Sequence, residues 1–288
     1  MNLKTALPDD LPWAEHKAFL LVDGTAHSEL SDRLATLHPH TTRFALYDCL
    51  RFRALNDISP LLVDIQEPDN PIFRFYLEHA FEEWGLLLFS SVPAYELVQH
   101  LRKLLTVELP TGQEVFLRLA DAGVAQALFA SADQRLFGPL SGVVIPDSVD
   151  GIWHRHQPRL PKCPELPAPY RLSPEQNAAL DRVDRRRALR ELDVHLLTYF
   201  PERHALQSLA QRWPRLERLL DEASSLGFSS QSDLFYYTNV MNWLGDSTLE
   251  QHPDIARLLH TPSLQSPSER VALAAELAHR FATQREPS

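Results

Sequence analysis

Two runs of consecutive apolar residues mark the centre of the predicted fold. Residues 19–22 read FLLV and residues 86–89 read LLLF, and each run is too short for a helix of ordinary length. Continuous apolar runs of this length are typical of strands that are buried on both faces, as the strands of parallel sheets usually are. We therefore predict two central strands at these positions.

Segments with helical spacing alternate with strand-like segments through the first 150 residues. Apolar residues recur every three or four positions in four segments, at 30–37, 73–84, 97–105 and 122–132. Shorter strand-like segments lie at 44–47, 61–65, 106–109, 114–120 and 143–145. This alternation predicts an α/β fold with a mixed, mainly parallel sheet flanked by helices. Turn residues at 110–113 add an antiparallel hairpin.

The pattern changes near residue 150, where proline becomes frequent. Residues 158–169 read PRLPKCPELPAP, and proline at almost every third position favours extended polyproline II structure. If fully extended, this segment is a strut about 35 Å long that could join two partners as a scaffold. The alternative is a strap that lies on the first domain.

Every periodic segment after the proline-rich stretch is helical. Two of these segments begin with a capping-box sequence, in which Ser173 is followed by Gln176 and Ser266 by Glu269. The second half is therefore predicted to be an all-α helical lobe, a bundle of four or five helices. The predicted boundaries are 1–150 for the α/β domain, 151–172 for the proline-rich linker or strap and 173–288 for the helical lobe.

Composition narrows the choice of partner and compartment. The 288 residues carry a formal net charge of −10, which argues against a nucleic-acid binder because phosphate neutralisation needs a basic face. The sequence contains no uninterrupted stretch of about 18 apolar residues, which is the length needed to cross a bilayer, so no membrane insertion is expected. Cys49 and Cys163 are far apart and fit a reducing compartment. With no signal peptide at the N-terminus, we expect a cytoplasmic protein.

Motifs that carry chemistry are scarce in this chain. The sequence has no Gly-rich phosphate loop, no nucleophile elbow and no HExxH. His38 and His40 form one histidine pair, and His154 and His156 form another, but neither has a third ligand at metal-binding spacing. We therefore predict no catalytic residues, no cofactor and no metal.

Asp23 gives the strongest local signal for an enzyme. Residues 20–25, LLVDGT, match the second half of the first-strand motif of haloacid-dehalogenase phosphatases. Leu21 stands where the nucleophilic aspartate should be, and leucine cannot attack phosphorus. Asp48, Asp64 and Asp121 also close strands, and carboxylates gathered at one sheet edge could bind Mg²⁺. A metal-dependent hydrolase that uses strand-end aspartates such as Asp23 and Asp48 is therefore the alternative function.

Two clusters in the helical half are candidates for binding a partner. A basic cluster that includes Arg186 and Arg190 is interrupted by acidic residues, which also suits a solvated helix face. Three aromatic residues, 235–237, are consecutive, so at least one must point away from the main apolar stripe of its helix. The candidate partner-binding residues are Arg186, Arg190, Trp213, Phe235, Tyr236 and Trp243.

Several segments resemble one known family when they are taken in order. Residues 84–121, WGLLLFSSVPAYELVQHLRKLLTVELPTGQEVFLRLAD, resemble the signature core of domain-of-unknown-function family 4123. FLLVDGT at 19–25, FALYD at 44–48 and RLFGPLSGVVIPD at 135–147 match further pieces of that family. The resemblance covers residues 17–150, and residues 188–204 are similar to a helical extension found behind many such domains.

The resemblance implies a function without implying catalytic residues. Members of this family act as cytoplasmic chaperones or adaptors for type VI secretion effectors of bacteria. They hold a toxin, often by its N-terminal segment, and help to load it on the tip of the VgrG spike. The resemblance thus implies that this chain is not an enzyme, and that its partners are an effector and VgrG. Binding would rest on shape and hydrophobic complementarity.

Overall fold

A computed structural model describes residues 3, 6–25, 30–245 and 247–285. The chain divides after Val183 into two compact units. The strands are β1 (Lys17–Val22), β2 (Arg43–Ala45), β3 (Leu61–Asp64), β4 (Gly85–Ser90), β5 (Thr106–Glu108), β6 (Glu114–Phe116), β7 (Leu140–Asp147), β8 (Ile152–His156) and β9 (Tyr170–Arg171). The helices are α1 (Leu30–Leu37), α2 (Pro71–Glu78), α3 (Ala94–Arg102), α4 (Ala122–Phe129), α5 (Pro174–Tyr199), α6 (Pro201–His204), α7 (Leu209–Ser225), α8 (Gln231–Leu244), α9 (Pro253–His260) and α10 (Pro267–Arg285).

The main sheet of the first unit is antiparallel, so the prediction of a mainly parallel sheet is wrong. Its strand order is β2-β3-β1-β4-β7-β8, and every neighbouring pair runs antiparallel. β1 lies at the centre, with Phe19 opposite Asp64 on β3 and Leu88 on β4. The α/β class itself is confirmed, because helices and strands share this unit.

The continuous apolar runs led to a wrong prediction of strand direction. Such runs indicate only that a strand is buried on both faces. On β1, Phe19 and Leu21 join one core, whereas Leu20 and Val22 join the other. Residues of α3 and α4 complete the first core, and residues of α1 and α2 complete the second. A sheet covered on both sides needs apolar residues at every position, whichever way its strands run.

A small second sheet holds the proline-rich segment on the first unit. β5 and β6 form the predicted hairpin, and β9 pairs with β5 in parallel, with Val107 opposite Tyr170. Upstream of β9, Leu166 is buried in the core, and Lys103 Nζ lies 3.6 Å from a carboxylate oxygen of Glu165. Residues 158–169 are therefore anchored on the first unit at Leu166 and by the strand that follows them, whereas a strap along the whole segment stays a prediction.

Gly24 provides a test of how β1 ends. A Cβ at Gly24 would lie 2.1 Å from the backbone oxygen of Ser59, so the turn and the loop before β3 would have to separate. We expect Gly24→Ala to lower the free energy of unfolding by about 3 kcal/mol. Gly142→Ala is the matched control, because its Cβ would meet atoms only at ordinary contact distances near 3.8 Å. Urea denaturation of both variants should separate them; equal stabilities would contradict the packing described here.

His100 should make stability depend on pH. Its Nε2 lies 2.9 Å from the backbone oxygen of Leu136, and burial lowers the pKa of this imidazole below its usual 6.5, with Lys103 acting in the same direction. As the pH falls through 6.5, the unfolded chain takes up the proton first, so the free energy of unfolding decreases. His100→Gln should therefore lose less stability than the parent between pH 7.5 and 5.5, by urea denaturation. His260→Gln, at an exposed position, should behave as the parent does.

The second unit is helical, and both capping boxes predicted for the second half of the chain are confirmed. Gln176 N–H donates to Ser173 Oγ and Ser173 N–H to Gln176 Oε1, which starts α5; Ser266 and Glu269 exchange the same bonds at the start of α10. α8 and α10 pack along each other. Apart from Arg270, the residues that α10 buries are small, which lets the two helices approach closely. They are Val271, Ala274, Ala275 and Ala278.

Candidate partner-binding groove

A groove of about 660 Å³ runs between α8 and α10 on the second unit. From α8 it is lined by Tyr236, Asn239 and Trp243, which are three and four residues apart and so share one face of that helix. From α10 it is lined by residues with the same spacing, among them Ala272, Ala275 and His279. We refer to this site as the α8–α10 groove.

The groove is formed because α10 presents small residues opposite large ones on α8. Ala272 and Ala275 leave space beside the aromatic rings of Tyr236 and Trp243. At one end the Trp243 ring meets the His279 ring, with centroids 4.8 Å apart. Tyr236 is 43% exposed and Leu273 on the opposite wall is 38% exposed. The result is a shallow site with large apolar side chains open to solvent, which is typical of a protein-binding surface.

One wall of the groove is fixed from behind by a histidine on α5. The His195 ring stacks on Phe235 with centroids 4.3 Å apart, and its Nε2 lies 2.7 Å from Asn239 Oδ1. Asn239 also lines the groove, and its amide nitrogen is a hydrogen-bond donor. Asn239 can therefore donate a hydrogen bond to a bound backbone carbonyl.

The rim of the groove is acidic. Glu269 accepts from the Ser266 backbone N–H and hydroxyl at 2.7 and 2.9 Å, and these bonds lower the pKa of its carboxyl. Glu276 accepts from Arg280 Nη2 at 2.8 Å, one helical turn further along α10. Both carboxylates line the groove, whereas Arg280 does not. The electrostatic complement of this rim is a basic residue.

Two of the six predicted partner-binding residues, Tyr236 and Trp243, line the groove together. Phe235 lies on the same helix but stacks on His195. The half-buried Arg186 and Arg190 on α5 and the half-buried Trp213 on α7 are not among the lining residues. The consecutive aromatics behave as predicted, since Tyr237 is buried and Tyr236 points outward.

The α10 wall was missed because its residues carry no motif. Ala272, Ala275 and Glu276 read as an ordinary amphipathic helix, and the groove depends on how that helix packs against α8. One signal was present: alanines and glutamates recur at helical spacing opposite a helix that is rich in aromatics. Such a pair of faces leaves a space that neither helix fills.

The aspartate named for the alternative function is held in an ion pair. Arg118 Nη2 donates to Asp23 Oδ2 at 2.5 Å, while the backbone N–H and hydroxyl of Thr25 donate to Oδ1 at 2.9 and 2.7 Å. Burial raises the pKa of Asp23, but these bonds outweigh it and the net shift is downward. Asp23 is therefore a charged, fully engaged carboxylate that closes the turn after β1.

The other strand-end aspartates do not join Asp23 in a metal-binding arrangement. Asp48 is exposed in a turn after β2, and Asp64 lies in a different pocket from Asp23. Within residues 3, 6–25, 30–245 and 247–285, no group of three or more His, Cys, Asp or Glu side chains is placed to hold a metal ion. In the same part of the chain, no helix has both the length and the apolar character needed to cross a bilayer.

The fold places this chain in a class of two-part proteins, with an α/β unit followed by a helical unit that carries a surface groove. The family described as domain of unknown function DUF4123 matches residues 18–136. The chain is also 31% identical over 285 residues to "Accessory protein VasW" of Vibrio cholerae serotype O1 (strain ATCC 39315 / El Tor Inaba N16961), covering 97% of this chain and 93% of that protein. No solved structure matches. The chain belongs to the DUF4123 family, as its sequence motifs indicated.

Proposed function

We propose that this protein is a cytoplasmic chaperone and adaptor of a bacterial type VI secretion system. It binds a secretion effector by an apolar segment, expected near the effector's N-terminus, and helps to load it onto the VgrG spike without catalysing a reaction. Support comes from membership of the DUF4123 family and from the similarity to a protein named as an accessory protein. The observation that carries the proposal is the α8–α10 groove, in which Tyr236 and Leu273 are exposed to solvent beside the half-buried Trp243.

The shape and charge of the groove define the segment that fits it. Two packed helices with a groove between them accept a third helix that lays its apolar side chains into the space. Glu269 and Glu276 on the rim favour a lysine or arginine beside that apolar stripe. The expected ligand is therefore an amphipathic effector helix with a basic flank.

Co-expression tests the proposal directly. The full chain is produced with each candidate effector encoded beside its gene, with and without the effector's N-terminal segment. We expect a stoichiometric complex on size-exclusion chromatography that is lost when the segment is removed. Adding the VgrG tip should then give a ternary complex. Failure to co-purify with any neighbouring candidate would contradict effector binding, whereas a binary complex that never engages VgrG would contradict loading alone.

The acidic rim gives a further expected result. Glu276→Gln removes one carboxylate and leaves Arg280 without its partner beside the groove. We expect affinity for a basic amphipathic segment to fall roughly 2- to 5-fold, because rim charges contribute less than 1 kcal/mol each. Isothermal titration calorimetry with the segment as a peptide measures the change. Glu250→Gln, an exposed glutamate outside the groove, is the control, and equal effects of both variants would refute a role for the rim.

A further inference from the structure

A second pocket, of about 310 Å³, lies on the first unit and has an unusual combination of walls. Three of its lining residues are large apolar side chains that are 37–54% exposed, namely Leu55, Ile58 and Phe116, and the Phe116 ring also contacts the Phe52 ring, with centroids 5.4 Å apart. Leu55 and Ile58 belong to the connection between β2 and β3, and Phe116 ends β6. We refer to it as the Arg118 pocket, after the charged residue at its polar side.

The polar side of the Arg118 pocket has hydrogen-bond donors that the chain itself does not use. The Arg118 side chain is 49% exposed, and its Nη2 makes the bonds to Asp23 Oδ2 and Thr25 Oγ1. Its Nε and Nη1 have no hydrogen-bond partner in the part of the chain described. Tyr47 lines the same pocket; burial, and then the nearby Asp23 carboxylate, raise the pKa of its hydroxyl, which therefore stays protonated and can donate.

Charge decides which acceptor these donors suit. The Arg118 cation is already balanced by Asp23 at 2.5 Å, and the charge of Asp121 also acts on it. A ligand carboxylate or phosphate would enter next to two existing negative charges. A neutral acceptor meets the same donors without that repulsion, and a backbone carbonyl is the neutral acceptor that occurs beside apolar side chains in every polypeptide.

We propose that the Arg118 pocket binds a protein partner that inserts one large apolar side chain between Leu55, Ile58 and Phe116, while an adjacent backbone carbonyl accepts from Arg118. A polypeptide matches both the apolar wall and the Arg118 donors, because an apolar side chain and the backbone carbonyl of the same residue are a few ångströms apart. The Phe116 ring is 54% exposed at the edge of the pocket. A partner whose chain extends beyond the inserted side chain can therefore make further contact with this ring. This inference is independent of the effector site on the other unit.

Peptide selection tests the Arg118 pocket even though its partner is unidentified. A phage-displayed library of random 12-residue peptides is panned on the full wild-type protein and counter-selected on the Ile58→Asp variant. We expect enriched peptides to share one Leu, Ile, Met or Phe without a required acidic residue. Their affinity, by fluorescence polarisation, should fall at least 10-fold for Ile58→Asp and for Phe116→Asp. Arg118→Lys, which keeps the charge but loses the forked donors, should weaken binding by a smaller factor.

Leu160→Asp is the matched control, because Leu160 is 45% exposed and Ile58 is 47% exposed, both on the first unit, and Leu160 does not line the pocket. It should change peptide affinity less than 2-fold, and circular dichroism should show that all variants are folded. No enrichment, peptides that bind Ile58→Asp as well as wild type, or peptides that need an acidic residue would each overturn the proposal. A concentration-dependent dimer that Phe116→Asp dissociates would also overturn it, because the occupant would then be a second copy.

Discussion

Replacing Arg212 with methionine should lower the free energy of unfolding of the helical unit by about 3–5 kcal/mol. Arg212 on α7 is 2% exposed, and its Nε and Nη2 donate to the two carboxylate oxygens of Asp193 at 2.5 and 2.7 Å. Its Nη1 donates to the backbone oxygens of His204 and Gln207. Methionine fills similar space but makes none of these bonds. The variant therefore leaves one buried carboxylate without a partner and removes the arginine donor from two carbonyls, of which that of His204 still accepts from the Gln207 backbone N–H.

Urea denaturation of the full chain, with hydrogen exchange read on α7 and α8, measures this loss. Arg218→Met is the matched control, because Arg218 is an exposed arginine on the same helix, and it should shift stability by less than about 0.5 kcal/mol. The double variant Asp193→Leu, Arg212→Met should recover much of the loss, because no buried charge is left unpaired. If Arg212→Met costs less than about 1 kcal/mol, the pair does not hold the unit together.

The elements of this fold could be predicted from the sequence, whereas the direction of its strands could not. The apolar run of β4 and the capping boxes at Ser173 and Ser266 are local signals, and each lies where it was expected. Direction depends on which strands become neighbours, and β1 pairs with β3 and β4, which lie some 40 or more residues further along the chain. β8 was missed because IWHRH, at the sheet edge, is half-buried throughout and shows neither an apolar run nor clear alternation.

The candidate site could be predicted only in part, for a related reason. The clustering of aromatic residues in α8 is visible in the sequence, and it was the basis for predicting that Tyr236 and Trp243 bind a partner. The opposite wall is made by alanines of α10, whose importance lies in the space that they leave. The roles of Arg186, Arg190, Trp213 and Phe235 stay predictions, since they lie outside the α8–α10 groove. A groove that forms because small residues leave space between two helices has no sequence motif. It becomes visible only when the packing of the two helices is known.

Introducing acidic residues on both walls of the α8–α10 groove should abolish effector binding. In the double variant Tyr236→Asp, Leu273→Asp, two exposed apolar anchors become charged groups beside Glu269 and Glu276. Truncating an interface anchor typically costs about 2 kcal/mol, so two anchors together account for roughly 4 kcal/mol, or about 1,000-fold in affinity. Even with partial non-additivity, we expect a loss of at least roughly 100-fold, because a buried apolar stripe would now face unpaired carboxylates.

The measurement is the affinity of the full chain for the co-purifying effector segment, by titration calorimetry, with folding checked by circular dichroism. Tyr95→Asp is the control, because Tyr95 is an exposed tyrosine on α3 of the other unit and the substitution is chemically the same. It should leave the affinity unchanged. Both groove positions are partly exposed on helix surfaces, so the double variant should keep its melting temperature within a few degrees, since exposed substitutions usually change stability by under about 0.5 kcal/mol each. A folded double variant that binds the effector as tightly as wild type would show that the cargo binds elsewhere on the chain.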